Sequence, residues 1–160
     1  MASNFFSGVL LVSADPQIWK FGLRQGISLL EEPDTPGLNL SLNRARAEIE
    51  TRGAKTMLVL AADLPFLNPE NLLEMTILSK HLLQVRIAPD RLRSGTNALL
   101  LSPPGVIPFC FGPGSFDLHC EAAALTGAIF TEVNSPSLAF DLDQPEDLQH
   151  IQLDNFTRTL

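Results

Sequence analysis

The chain has 160 residues, 45% of them hydrophobic, with ten Phe and no Tyr, which suffices for a single domain (residues 1–160) with its own core. A formal charge of -7 argues against nucleic acid or an anionic membrane surface as partner, since those contacts need a positive face, and no apolar run approaches the length of about eighteen residues needed to span a bilayer. Cys110 and Cys120 lack CxxC or Cys/His spacing, so neither a disulfide framework nor a zinc site is indicated and buried free thiols are expected. The opening MASNFFSGVLLVSAD carries no basic leader, which predicts a soluble, cytoplasmic protein.

Strands and helices alternate along the chain. Residues 8–12 (GVLLV) form a wholly apolar run, as in a strand covered on both faces, and residues 16–24 read as a helix capped by Asp15. A second strand follows at 27–30. After the turn-rich EEPDTPGLN, residues 40–51 have helical spacing and end at Gly53. Residues 56–62 are the clearest buried strand, and Asn68-Pro69 opens the next helix with a cap residue and an N1 proline. Further strands are predicted at 82–88, 97–101 and 128–133, a helix at 116–126 and a closing helix at 145–151. The pattern predicts an α/β domain with a largely parallel sheet. Trp19 and the Phe pairs read as core.

Two short loops could bind anions. In SGTNAL, Ser94, Gly95 and Thr96 combine backbone N–H groups, a permissive glycine and hydroxyls. In FGPGS, Gly112, Gly114 and Ser115 precede a helix whose N-terminal dipole end attracts the same ligand. Each is equally compatible with ordinary turn and cap composition. Arg86, Arg91 and Arg93 lie close by in sequence and could balance a phosphate's charge, a divalent cation being the other route.

Ligands of open α/β sheets sit at the carboxyl ends of strands. Asp63 directly follows MLVLAA and could either offer an oxygen ligand to magnesium or cap the turn at Leu64-Pro65. In AFDLDQPEDL, Asp141 and Asp143 alternate and could reach one metal. Asp143, three residues before Glu146, has capping-box spacing and is assigned to starting the last helix, leaving Asp141 as the better ligand. Paired, Asp63 and Asp141 suit metal-assisted phosphoryl or nucleotidyl transfer. His81, His119 and His150 have no partnered Ser or Cys motif and read as surface or packing residues. Neither a Walker A loop, a GxGxxG nor a GxSxG is present.

LAADLPFLNPENL, IAPDR followed by SGTNALLL, IPFCFGPGSF and FDLDQPEDL, together with PGLNLSLNRARAE, resemble in order and spacing the phosphoenolpyruvate or 2-phospho-L-lactate guanylyltransferases of deazaflavin coenzyme F(420) biosynthesis. The match runs from Val9 to Leu148. The resemblance implies a three-layer fold of nucleotide-diphospho-sugar transferase type and GTP-dependent guanylyl transfer to a phosphorylated three-carbon acid, with pyrophosphate as leaving group. Carried over, Thr96, Gly112 and Ser115 would hold the phospho-acid, Gly37, Leu38 and Asn39 the nucleotide, and Asp63 and Asp141 a Mg2+ ion. The implied partners are GTP and the acid, with a homodimer left open. Members of that family begin with a strand and a Lys-containing loop, whereas this chain starts at what looks like their second strand. A non-catalytic relative that binds nucleotide or phospho-acid, or a nucleotidyltransferase with another acceptor, is the alternative expectation.

Overall fold

The structure is a computed structural model that describes residues 6–31, 37–79, 83–149 and 151. Strand β1 (Leu10–Ser13), helix α1 (Pro16–Arg24) and strand β2 (Ser28–Glu31) form a βαβ unit with β1 and β2 parallel. Asp15 caps α1 through its Oδ1, which accepts from Gln17 N at 2.7 Å. Gly22 lets α1 lie close on the strands, because a Cβ there would come within 2.6 Å of the Leu29 side chain.

Helix α2 (Leu38–Thr51) leads to a second, four-stranded sheet of order β3-β5-β4-β6, built from β3 (Met57–Leu60), β4 (Gln84–Pro89), β5 (Thr96–Ser102) and β6 (Ile129–Glu132). Helices α3 (Pro69–Met75), α4 (Ser115–Thr126) and the short α5 (Pro136–Ala139), the last not predicted from sequence, complete the chain. Helix α3 starts with a reciprocal capping box between Asn68 and Asn71. The predicted closing helix is reduced to helical residues from Asp147 onward, and the predicted histidines His81 and His150, like Leu82 of the fourth strand, lie outside the described residues.

The expected largely parallel sheet needs correction. β5 pairs antiparallel with both β3 and β4, while β4 and β6 pair in parallel. β3, β4 and β6 do run in one direction, as the strand and helix alternation predicts, but β5 is inserted between β3 and β4 against it. The cause is the connection: only residues 90–95 join β4 to β5, far too few for the crossover that a parallel pair requires. The fold is therefore α/β with mixed sheets.

Strand alternation sends side chains to two separate cores. Val85, Ile87, Leu99 and Leu101 point to the face that also buries Leu42 of α2 and Phe116 and Ala123 of α4. Ala88, Ala98 and Leu100 point to the opposite face with Met75 of α3 and Leu138 of α5. Being covered on both sides, β5 reads as the continuous apolar run TNALLLS. Trp19 belongs to neither cluster, contrary to the sequence reading; it is half-buried, its Nε1 donating to Ser13 O at 2.7 Å. Among the described residues β1 pairs only with β2 and β3 only with β5, so each has one edge without ladder partners, and all four residues of each are partly exposed.

Candidate active site

Because β5 runs against its neighbours, its first residue lies at the carboxyl ends of β3 and β4. Thr96 is paired in register with Pro89, and Ala61 N donates to Asn97 O at 2.9 Å. Asp63, just past β3, Asp90, just past β4, and Thr96 are thus delivered to one rim of the sheet by topology alone.

The β4–β5 connection is organised around Asp90. Its Oδ1 accepts from Ser94 N and its Oδ2 from Gly95 N, both at 2.8 Å, and its own N–H donates to Gly95 O. Ser94 and Gly95 were expected to wrap a phosphate with these N–H groups. Instead they already hold an anion, the carboxylate of Asp90. What the loop does offer is Thr96, buried at its end, and the Ser94 carbonyl, which accepts from Phe116 N at 3.3 Å and ties the loop to the start of α4.

That tie brings the FGPGS loop against Thr96. Gly112 (φ 129°) and Gly114 (φ 72°) take backbone conformations open to glycine, and Ser115 N closes the turn onto Gly112 O at 3.0 Å. Ser115 Oγ, fully buried, donates to Thr96 Oγ1 at 3.2 Å. Helix α4 has no side-chain cap, and among the described residues the N–H groups of Gly112, Gly114 and Asp117 have no hydrogen-bond partner. Thr96, Gly112 and Ser115, three of the residues singled out in the sequence, are therefore brought to one place, with unused backbone donors beside them.

His119 is the residue that sequence reasoning passed over. It is entirely buried in the first turns of α4, with Nδ1 3.1 Å from Thr96 Oγ1 and Nε2 accepting from Cys110 N at 3.0 Å, and Phe111 packs edge-on against its ring at 4.9 Å. Burial holds its pKa down, at about 4, so the imidazole is neutral near pH 7. The spacing of Ser115, Phe116, His119 and Ala123, all buried, is the signal that would have turned this histidine inward.

The predicted nucleotide-side residues stand at the start of α2. Gly37 is the N-cap, Leu38 is exposed, and the Asn39 side chain is fully engaged with Phe111: Nδ2 donates to Phe111 O at 2.9 Å and Oδ1 accepts from Phe111 N at 2.8 Å. Asn39 thereby fastens the 37–39 segment to the FGPGS loop.

Asp63 and Asp141 meet through the backbone, Leu142 N donating to Asp63 O at 3.1 Å. Asp63 is exposed and Asp141 half-buried. Burial, reinforced by the neighbouring carboxylates of Asp143 and Asp90, raises the pKa of Asp141. A half-buried carboxyl crowded by like charges is a position that a cation would relieve. Among the described residues no cluster of three or more His, Cys, Asp or Glu could hold a metal, so a cation here would rest on two carboxylates and draw its other ligands from water and substrate.

Two further expectations fail for identifiable reasons. Asp143 does not cap the last helix; its exposed carboxylate accepts no hydrogen bond among the described residues, and the N–H groups of Asp143 and Gln144 donate instead to Asp147 Oδ2 at 3.1 and 2.9 Å. The three arginines are occupied with the protein itself. Arg86 Nη2 donates to Glu74 O at 3.0 Å, with its Nε buried and unpaired. Arg91 pairs with Asp147 at 3.0 Å, reaches Asp141 at 3.9 Å and lies over Phe140. Arg93, with φ 57°, forms a two-pronged pair with Glu132 and covers Phe116. Each is a brace across chain-distant segments, which sequence proximity to SGTNAL could not reveal. Cys110 and Cys120 are free and partly buried.

The family described as "Guanylyl transferase CofC like" matches residues 2–158. A phosphoenolpyruvate guanylyltransferase of Rubrobacter xylanophilus is 41% identical over 144 residues, spanning 90% of this chain and 70% of that protein. A 2-phospho-L-lactate guanylyltransferase of Methanosarcina mazei is 37% identical over 120 residues (75% and 52%), and a 3-phospho-D-glycerate guanylyltransferase of Colwellia psychrerythraea is 28% identical over 145 residues (91% and 68%).

Proposed function

Since this chain belongs to the CofC-like guanylyl transferase family, we propose that it joins GTP to a phosphorylated three-carbon acid, phosphoenolpyruvate or 2-phospho-L-lactate, with release of pyrophosphate, in the cytoplasmic synthesis of deazaflavin coenzyme F(420). The observation that carries the reading is the meeting of Thr96 and Ser115 with the unused N–H groups of Gly112, Gly114 and Asp117 at the uncapped start of α4. Hydroxyl and amide donors converging on a helix N-terminus suit a phosphate with its charge intact.

In this reading one phosphate oxygen of the acid forms a bond to the α-phosphorus of GTP, and the bond from that phosphorus to the β-bridging oxygen breaks, its electron pair leaving with pyrophosphate. The attacking oxygen is already anionic, so no side-chain base is needed, and positioning supplies much of the rate. Asp63 and Asp141 would hold Mg2+, which offsets charge on the triphosphate and leaving group. The segment 37–39 would face the nucleotide, and its fastening to Phe111 through Asn39 keeps it at a fixed distance from the acid cradle. The three-layer arrangement of nucleotide-diphospho-sugar transferases is part of the proposal; helices on both faces of the four-stranded sheet support it.

Two measurements test it. Phosphoenolpyruvate titrated with Mg2+ should shift the amide signals of residues 96 and 112–117, and silence at millimolar ligand would remove the acid site. Pyrophosphate release from GTP, assayed separately with phosphoenolpyruvate, 2-phospho-L-lactate and 3-phosphoglycerate, should depend on acceptor and on Mg2+, and should be abolished by Asp63→Asn and Asp141→Asn in folded protein. Release without acceptor, or unaffected by both substitutions, would count against the chemistry.

A further inference from the structure

His119 touches no reacting group in this scheme, yet both of its ring nitrogens are committed, and the direction of each hydrogen bond can be worked out. A backbone N–H only donates, so the bond from Cys110 N makes Nε2 an acceptor. A neutral imidazole then carries its proton on Nδ1, and that N–H donates to Thr96 Oγ1. Ser115 Oγ donates to the same oxygen. Both acceptor positions of the Thr96 hydroxyl are thereby filled, and its own hydrogen, which the Ser115 hydroxyl does not take up while it donates, is left over.

We propose that His119 is a positioning residue that fixes the Thr96 hydroxyl as a hydrogen-bond donor toward the phosphate of the acid substrate. The inference rests on the acid site proposed above and deepens it. A phosphate dianion presents only acceptors, so a hydroxyl free to rotate would spend part of its time with a lone pair facing the ligand, whereas one with both lone pairs occupied cannot. The same ring joins the two halves of the cradle, Thr96 at the start of β5 and Cys110 at the entrance to FGPGS. Burial, which keeps the ring neutral near pH 7, preserves the single proton that this directionality needs.

Histidine-selective 15N spectra read the tautomer directly, the His119 signals being assigned by their loss in His119→Asn. The expected result is a protonated Nδ1 and an unprotonated Nε2 near pH 7. An Nε2–H tautomer or an imidazolium overturns the inference whatever the binding data show. His119→Leu should weaken phosphoenolpyruvate binding by about tenfold while changing GTP affinity by less than about twofold. His119→Asn, whose amide N–H can stand where Nδ1–H stood, should recover most of that loss. Equal weakening of both ligands by both variants would make His119 a packing residue and sink the proposal; so would indifference of phosphoenolpyruvate to both. If the unsubstituted protein binds no phosphoenolpyruvate, the acid site itself falls and takes this role with it, a result separable from the preceding ones by the wild-type titration alone.

Discussion

Gly95→Ala gives a sharp test of the β4–β5 connection. Gly95 lies outside the left-handed region of φ, so alanine adds no backbone strain; its Cβ would instead lie 2.9 Å from Asp90 Oδ2, the oxygen that accepts from Gly95 N. The carboxylate must withdraw by roughly half an ångström to restore ordinary contact, which lengthens one of its two 2.8 Å bonds and disturbs the other. Hydrogen bonds to a charged acceptor contribute about 1.5–3 kcal/mol each, and partial exposure of the loop reduces this, so the expected loss is about 1–2 kcal/mol. In a domain of this size that is a fall in Tm of roughly 2–8 °C. Asp90→Ala removes the acceptor and should cost a similar amount. The decisive measurement is the double variant in urea unfolding followed by far-UV circular dichroism. With Asp90 already alanine, Gly95→Ala meets nothing and should be neutral, or stabilising by about 0.4–1 kcal/mol through the unfolded chain. If Gly95→Ala costs as much in the Asp90→Ala background as in the wild type, the contact argument is wrong.

Asn39→Ala leaves both backbone groups of Phe111 without their partner and should cost on the order of 1–3 kcal/mol in urea unfolding; Asn39→Asp, which keeps an acceptor for Phe111 N but turns a carboxylate oxygen on Phe111 O, should recover little of it. Gly114→Ala meets no neighbouring atom but must adopt φ 72°, so a loss of about 1 kcal/mol without a change in the rest of the amide spectrum is expected. The depressed pKa of His119 makes stability depend on pH: the contribution is complete above the unfolded value of 6.5 and is lost as pH falls toward and through about 4. It amounts to about 3 kcal/mol at most. Glu132 and Asp147, held low by Arg93 and by the Gln144 N–H respectively, act in the same direction but only below their ordinary carboxylate range. A decline between pH 6.5 and 4.5 that persists unchanged in His119→Asn would show that another group is responsible.

How far the sequence was legible follows from the range of each interaction. Asp15 and Asn68 announced their helices because a cap acts over two or three residues. The apolar runs announced the strands. The direction of β5 was not legible in the run ALLL, which a strand buried on both faces shows in either orientation; the short 90–95 connection held that information instead. Asp90, four and five residues before the N–H groups it accepts from, was detectable as a local side-chain turn and was overlooked in favour of an external anion. The arginines could not be placed, since Arg93 finds Glu132 thirty-nine residues away and Arg91 finds Asp147 fifty-six away. The FGPGS turn was marked in the sequence by two glycines whose φ values only glycine adopts readily, but the buried histidine that joins it to Thr96 lay hidden in a helix whose phase had not been read.

The division of the hydrophobic interior bears on how the molecule should breathe. Among the described residues none before Leu42 enters either buried cluster, so β1, α1 and β2 are held by their own mutual packing and by α2, while β4 and β5 sit between two cores. Amide hydrogens of residues 10–31 should therefore exchange through local opening at a fraction of the free energy that protects β5. The segment 37–39 lies at the seam between these regions, pinned on one side by Asn39. A nucleotide engaging that seam would slow exchange in β1 and β2, well beyond the residues that it touches, and the ordering required there would subtract from its apparent affinity.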